Sequence, residues 1–491
     1  MNIIDAWESP AVFKPLFKNP ATWRAWEVYL KALFGLPIMD PADRALFTSC
    51  TGLENPPADK VRESFAIAGR RSGKSYTTAL IAVFLACFKD WKPYLSAGER
   101  GWIFIIATDK SQAGIIKAYI SGVFHRVKCL RGLVEKETRE TIELRNAISI
   151  SVKTASFRAV RGYTILAAIM EEMSFYRSED SANPDREILA AVRPALATIP
   201  DSLLIGISTP YSRSGVLWEQ FKANFGQTGG PLIWRAPTQT MNPTIDAKLI
   251  ERALAEDPAA ARSEWLAEWR EDIMAFITAE LVEAVTMPGR FELPKIEGAN
   301  YYGFIDPSGG RQDAFTMGIS HRERSGKVVL DVLRERRPPF QPAGVVAEFS
   351  DVLKSFKVMT VESDKYAAEW VAEAFRVNGI EVKNGDMTAS ELYLNLLPLI
   401  ANGTVEFLDN KRLLAQLVGL ERRARSGGKD LVTHYAGGHD DLANSAAGCC
   451  VMAAGSVGSA GYIGGLKHDI GPDDGGREGV DHFKRTAGKA R

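Results

Sequence analysis

The stretch SFAIAGRRSGKS, residues 64–75, runs from an apolar, strand-like segment into a basic loop, and the helix-like run TALIAVFLACF (78–88) follows it. A phosphate-binding loop needs this order. Its backbone N–H groups wrap the β-phosphate, a lysine reaches the β/γ-phosphates, and a hydroxyl serves Mg²⁺. The candidate nucleotide-binding residues are therefore Ala68, Gly69, Arg70, Arg71, Ser72, Gly73, Lys74 and Ser75. Gly73 lets the backbone approach the phosphate, and Lys74 and Ser75 open a helix whose N-terminal N–H groups favour an anion. The usual signature has glycine where Ala68 stands; at the end of a strand a methyl group is tolerated.

Outward from this loop the chain reads as α/β. Between residues 61 and 245 the apolar runs SFAIA, GWIFIIAT, AISISV, TILAAIM, LLIGIST and PLIWRAP alternate with helix-like segments, which predicts a parallel sheet with helices on both faces. Residues 1–60 read as a Trp-rich helical segment and 246–280 as helices, with Trp265 and Trp269 as a spaced aromatic pair. Pro and Gly accumulate around 286–299, as in a linker. A second series (YYGFID, AFTMGISH, KVVLDVL, KVMTVE, IEVK) predicts a mixed sheet with helices on its faces, followed by helices to about 455. The expected units are thus 1–60, an ATPase domain at 61–285, a linker at 286–299, a second α/β domain at 300–455, and a flexible Gly-rich tail at 456–491.

With 491 residues, two or three domains are expected. Sixty basic side chains balance sixty acidic ones, so no global field recruits nucleic acid and any such contact is local. Cys50, Cys87, Cys129, Cys449 and Cys450 show no metal spacing, which fits a reducing compartment. The N-terminus carries no basic-then-apolar signal pattern and no apolar run reaches bilayer length, so a cytosolic chain with no membrane partner is expected.

A nucleotide hydrolase also needs an acidic end to a nearby apolar strand. TILAAIMEE supplies one: Glu171 near Mg²⁺, Glu172 to orient and activate the attacking water. Aspartate is commoner at the first of these positions. The STP strand end places Ser208 and Thr209 where hydroxyls can sense loss of the γ-phosphate. Arg71 (beside Arg70), Arg158 and Arg161 are candidates for stabilising the transferring phosphoryl group, from the same or a neighbouring subunit.

A second set of acids lies downstream. Asp306 ends the strand YYGFID and a Gly-rich turn leads to Asp313; Glu362 and Asp364 end KVMTVESD; Asp440 and Asp441 open a small-residue helix. Such a set, with oxygen donors only, favours hard cations, Mg²⁺ or Mn²⁺. Two such ions would activate water and stabilise the leaving oxygen in phosphodiester hydrolysis. Arg422, Arg423, Arg425 and Lys429 form a possible DNA-facing strip, or a solvated face.

With AGRRSGKS, ATDKSQAG, RGYTILAAIMEE, GISTP, GFIDPSGG, VESDKYAAEW and SGGKDLVTHYAGGHDDLANSAAG in this order, the chain resembles the large subunit of tailed-phage terminases over residues 60 to 455. The resemblance implies an additional-strand P-loop ATPase joined to an RNase H-like endonuclease. Lys74 and Ser75 match the phosphate loop, Glu171 and Glu172 the acidic motif, and Ser208 and Thr209 the coupling motif. Asp306, Asp364 and Asp441 match the nuclease carboxylates, with Glu362 and Asp440 as alternates. It implies ATP and Mg²⁺ at one site and two Mg²⁺ or Mn²⁺ at the other. It also implies double-stranded DNA, a portal protein, a small terminase subunit and a homo-oligomeric ring, a pentamer, as partners. The place implied is the host cytoplasm, transiently on the procapsid and not in the mature virion. Two other readings stand beside this one: a helicase-like or repair ATPase-nuclease acting on host DNA, and a non-catalytic scaffold switched by ATP.

Overall fold

The apolar runs that open the chain's first half become strands β1 (Glu63–Ala68), β2 (Gly101–Ala107), β5 (Ile148–Thr154), β6 (Thr164–Glu171), β7 (Leu203–Ser208) and β8 (Leu232–Ala236). Two further strands, β3 (Val134–Glu137) and β4 (Thr141–Leu144), complete an eight-stranded sheet ordered β3-β4-β5-β2-β6-β7-β1-β8. The computed structural model describes residues 1–155, 162–178, 181–311, 313–363, 369–423, 430–435 and 438–455 of the 491. The strands from β5 to β8 pair in parallel, and β7 is inserted between the loop-bearing β1 and the acidic β6. This is the additional-strand arrangement. The parallel sheet predicted from the sequence thus carries an antiparallel edge, because β3 and β4 pair antiparallel with each other and β4 with β5.

Both faces of the sheet are covered, so its strands read as near-continuous apolar runs. In β1, Ala66 and Ala68 face a layer with Leu80, Phe84 and Ile120, while Phe65 and Ile67 face a layer with Ile188, Val192 and Leu217. Trp26, Tyr29 and Leu30 of the N-terminal helix Arg24–Leu33 are fully buried in the first of these layers. The helical N-terminal segment is therefore part of this core.

Beyond residue 246 the helices Ala247–Glu256 and Pro258–Leu266 form as read, but the second stops where Ala267 turns left-handed (φ 54°). Trp269 therefore lies off the helix that carries Trp265, and packs on Trp218 with ring centroids 5.1 Å apart. The chain then forms β9 (Ile273–Ala275) and, at the start of the expected linker, β10 (Thr286–Met287).

The second sheet contains β11 (Tyr301–Asp306), β12 (Phe315–Arg322), β13 (Val328–Arg336), β14 (Thr360–Ser363), β15 (Glu381–Asn384) and β16 (Val405–Leu408). Its order is β10-β16-β13-β12-β11-β14-β15. The pairs β11/β12 and β12/β13 are antiparallel and the others parallel, the mixed sheet expected of an RNase H-like domain. The helix Asp441–Gly455 lies across one face. Its small residues permit close approach: a Cβ on Gly448 would stand 2.2 Å from the Phe304 ring, and one on Gly318 of β12 would stand 2.7 Å from the Ser445 carbonyl.

The helices expected after residue 385 are interrupted by β16 and by a hairpin, β17 (Leu420–Arg423) and β18 (Leu431–His434). β17 pairs with β18 on one side and β9 on the other, antiparallel in both cases, so a strand from the end of the first half is stitched to the second half. Among the described residues, no helix is long and apolar enough to cross a membrane. The expected tail at 456–491 lies outside the described residues.

Candidate functional site

The loop after β1 brings Lys74 to the first position of the helix Lys74–Phe88, with Gly73 before it in a left-handed conformation (φ 91°). The Lys74 ammonium, 5% exposed, donates to the carbonyls of Ala68 and Gly69 (3.2 Å each) and to Thr209 Oγ1 (2.7 Å), and pairs with Glu172 Oε1 at 3.2 Å. One lysine thus ties the loop, the acidic strand end and the STP strand end together. That convergence follows from strand order, since β7 sits between β1 and β6.

Glu171 ends β6 and is buried. It accepts hydrogen bonds from Ser75 Oγ (2.5 Å) and Thr78 Oγ1 (3.0 Å). Burial, and then the neighbouring Glu172 charge, push its carboxyl well above the ordinary carboxylate value. Thr78 escaped the sequence reading, although it stands three residues after Ser75 and so on the same helix face. Glu172 is left-handed (φ 52°), and its N–H donates to the Ile207 carbonyl at 2.7 Å. That conformation costs a non-glycine residue about 1–3 kcal/mol and is held by its surroundings. Its Oε2 accepts from the Thr209 N–H (2.9 Å) and Ser208 Oγ (3.1 Å), so both STP residues grip the carboxylate expected to orient water.

Of the arginines, Arg70 and Arg71 are exposed, and Arg70 pairs with Glu264 at 2.7 Å. Arg158 and Arg161 lie outside the described residues.

In the second sheet, Asp306 at the end of β11 accepts from Asn444 Nδ2 at 2.9 Å. Asp441, one turn earlier on the same helix, faces the same region. Its side chain accepts from the Ala314 N–H at 3.4 Å, and Thr316 Oγ1 donates to its carbonyl at 2.7 Å. Burial pushes the Asp441 carboxyl up to about 6, against the lowering effect of His439, whose Nδ1 lies 3.9 Å from it and 3.6 Å from Asp313. Asp440 points elsewhere, accepting from the buried Tyr393 hydroxyl at 2.9 Å with His434 at 3.9 Å. Of the adjacent pair, Asp441 is the one bonded to the Ala314–Thr316 segment, whose Thr316 is the register partner of Asp306.

Glu362 is the register partner of Phe304 in the parallel β11/β14 pair, which places it on the Asp306 side of the sheet. Burial, then Asp386, raises its pKa. Asp364 lies outside the described residues. Among the described residues no three His, Cys, Asp or Glu side chains form a metal-holding cluster. The oxygen-only set of Asp306, Asp441 and the buried, unpartnered Asn444 Oδ1 nevertheless fits a hard cation such as Mg²⁺ or Mn²⁺. Asn444 was absent from the sequence reading, although its three-residue spacing from Asp441 marks a shared helix face.

The two described residues of the expected basic strip are engaged within their own hairpin. Arg422 pairs with Asp430 at 2.5 Å and Arg423 with Glu421 at 3.0 Å, while Arg425 and Lys429 lie outside the described residues. This hairpin also meets the STP strand end: Tyr211, two residues past Thr209, donates to Glu421 at 3.2 Å. The Arg177 guanidinium sits 4.9 Å from the Tyr435 ring and 5.9 Å from that of Tyr211.

No protein-family model and no curated protein matches the chain. Solved structures to which it is similar include phage large terminases. It is similar to the large terminase of bacteriophage HK97 at 16% identity and TM-score 0.38, over 87% of this chain and 99% of that one. The large terminase of a thermophilic bacteriophage in complex with ADP is 12% identical with TM-score 0.36, over 88% and 99% of the two chains. The large terminase nuclease of thermophilic phage G20c with bound magnesium is 16% identical with TM-score 0.31, over 36% and 96%. With every TM-score below 0.5, this likeness carries no argument, and both fold and function have to come from the strand order and the residues just described.

Proposed function

We propose that this chain is an ATP-driven DNA-packaging motor and endonuclease, which moves double-stranded viral DNA through a portal into a procapsid and cuts concatemeric DNA when packaging starts and ends. The observation that carries the reading is the joint presence of two chemically distinct centres in one compact unit, Met1–Ala454. One is the Lys74–Glu172–Thr209 cluster on the P-loop sheet; the other is Asp306 of the mixed sheet, bonded to Asn444 of the helix that Asp441 opens.

In the first centre Lys74 would hold the β/γ-phosphates and Ser75 would face Mg²⁺, with Glu171 behind it. Glu172 would take the proton of the attacking water. As γ-phosphate leaves, Lys74 loses that anion and pairs with Glu172 alone, and their grip on Ser208 and Thr209 changes. The next residue passes that change on, because the Pro210 carbonyl accepts from Ser263 Oγ at 2.6 Å, on the helix bearing Trp265. Movement of that helix is the candidate power stroke.

In the second centre Asp306 and Asp441, with Asp364 as the expected third and Glu362 and Asp440 as alternates, would hold Mg²⁺ or Mn²⁺, two ions in this reading. Bound ions supply activation of water and stabilisation of the leaving oxygen. DNA contacts would be mainly to phosphates, tolerant of sequence and weakened by salt. A homo-oligomeric ring on the procapsid, with portal protein and a small subunit that selects DNA, completes the proposal, in the host cytoplasm.

The test is a packaging assay with purified portal-bearing capsids, scored by nuclease protection of DNA. The reading predicts ATP-dependent protection that Lys74→Ala abolishes. ATP turnover with no protection under any salt or small-subunit condition would favour an ATPase-nuclease that acts on other DNA.

A further inference from the structure

Three successive carbonyls of the phosphate loop each accept a hydrogen bond from a side chain outside the loop. Thr238 Oγ1 donates to the Arg70 carbonyl at 2.8 Å, Asn242 Nδ2 to that of Arg71 at 2.8 Å, and Trp26 Nε1 to that of Ser72 at 2.6 Å. The donors come from separate places: Trp26 from the helix Arg24–Leu33, Thr238 from the short helix Thr238–Met241, and Asn242 from the end of that helix.

In a trans peptide unit the carbonyl of one residue and the N–H of the next point in opposite directions. Pinning the carbonyls of Arg70, Arg71 and Ser72 on the outer side therefore turns the N–H groups of Arg71, Ser72 and Gly73 inward. Those are the groups a phosphate cradle needs. The loop's first two N–H groups are used differently, donating to Ala236 O (3.2 Å) and Glu264 O (2.5 Å), which anchors its entry.

The packing bears out a close fit. Thr238 and Trp26 are fully buried. A Cβ on Gly69 would stand 2.3 Å from Thr238 Oγ1, and one on Gly73 would stand 2.8 Å from the Trp23 ring. Arg71, a non-glycine residue at φ 60°, is the one whose carbonyl Asn242 holds.

We propose that Trp26, Thr238 and Asn242 are positioning residues of the nucleotide site, an outer clamp that presents the inner N–H groups of the loop to the phosphates. The proposal rests on the reading of residues 68–75 as a triphosphate cradle, and assigns the N-terminal helix a part in ATP binding.

The experiment is steady-state turnover of Mg-ATP by the full chain, comparing wild type with Trp26→Phe, Thr238→Val, Asn242→Ala, the conservative Thr238→Ser, and Lys74→Ala. Near-UV circular dichroism verifies folding. Loss of one clamp bond is expected to raise KM by about 5- to 10-fold with kcat within about twofold, and Thr238→Ser is expected to keep the wild-type KM. Asn242 is only half-buried, so its variant keeps the test open if Trp26→Phe fails to fold. Folded clamp variants with wild-type KM, while Lys74→Ala is inactive, would overturn the clamp alone. Wild-type turnover by Lys74→Ala would overturn the cradle and the clamp together.

Discussion

Replacing Glu172 by Gln separates chemistry from binding at the nucleotide site. The carboxylate has two jobs: Oε2 accepts from Thr209 N–H at 2.9 Å and Ser208 Oγ at 3.1 Å, and Oε1 lies 3.2 Å from the nearly buried Lys74 ammonium. A glutamine oxygen can keep both acceptor contacts, so the left-handed turn should survive. What disappears is the base and the negative charge. Loss of a general base lowers kcat by about 100- to 10,000-fold, or about 3–5 kcal/mol of barrier. Removal of an anion beside the γ-phosphate site leaves Lys74 free to pair with the nucleotide, so ATP should bind as well as in wild type or up to about tenfold more tightly, about 1.4 kcal/mol. Phosphate release measures the first quantity and titration with a non-hydrolysed ATP analogue the second. A kcat within about threefold of wild type would refute the assignment of Glu172 as the base.

Two further substitutions probe the scaffold. Gly448→Ala drives a methyl group into the Phe304 ring and lifts the helix that carries Asp441 and Asn444 off β11; it should cost about 1–3 kcal/mol in denaturant melts and lower DNA cutting more than ATP turnover. Lys60 is partly buried beside Lys89, and burial, followed by that charge, lowers its pKa to about 7. A base with a depressed folded pKa binds its proton better when unfolded, so its contribution to stability should rise with pH between about 7 and its unfolded value of about 10.4; Lys60→Met should remove that rise from urea melts taken across this window.

The residues that form the sheet centres were legible because strands buried on both faces must be apolar along their length, as β6 and β7 are. The edges were not. β3 (VEKE) is mostly exposed and charged, and β9, β17 and β18 have three or four residues each, too short for an alternation to show. The helix expected to join Trp265 to Trp269 fails at Ala267, a left-handed alanine that only tertiary context specifies. At the candidate sites, strand ends and helix starts pointed to Lys74, Glu171, Glu172, Asp306 and Asp441, since those positions follow from local pattern. Trp26 and Thr238 meet the loop from 46 and 168 residues away, a proximity no local pattern encodes. That Asp440 meets Tyr393 while Asp441 meets Ala314 follows from how their helix packs, which no local pattern encodes.

The most direct test of two separate centres is a crossed comparison in the full chain, with Lys74→Ala and Asp306→Asn each assayed for ATP turnover and for Mn²⁺-dependent plasmid nicking. Lys74→Ala should stop turnover and still nick, while Asp306→Asn should turn over ATP at the wild-type rate and fail to nick. Undiminished nicking by Asp306→Asn, or loss of both activities in both folded variants, would contradict the account.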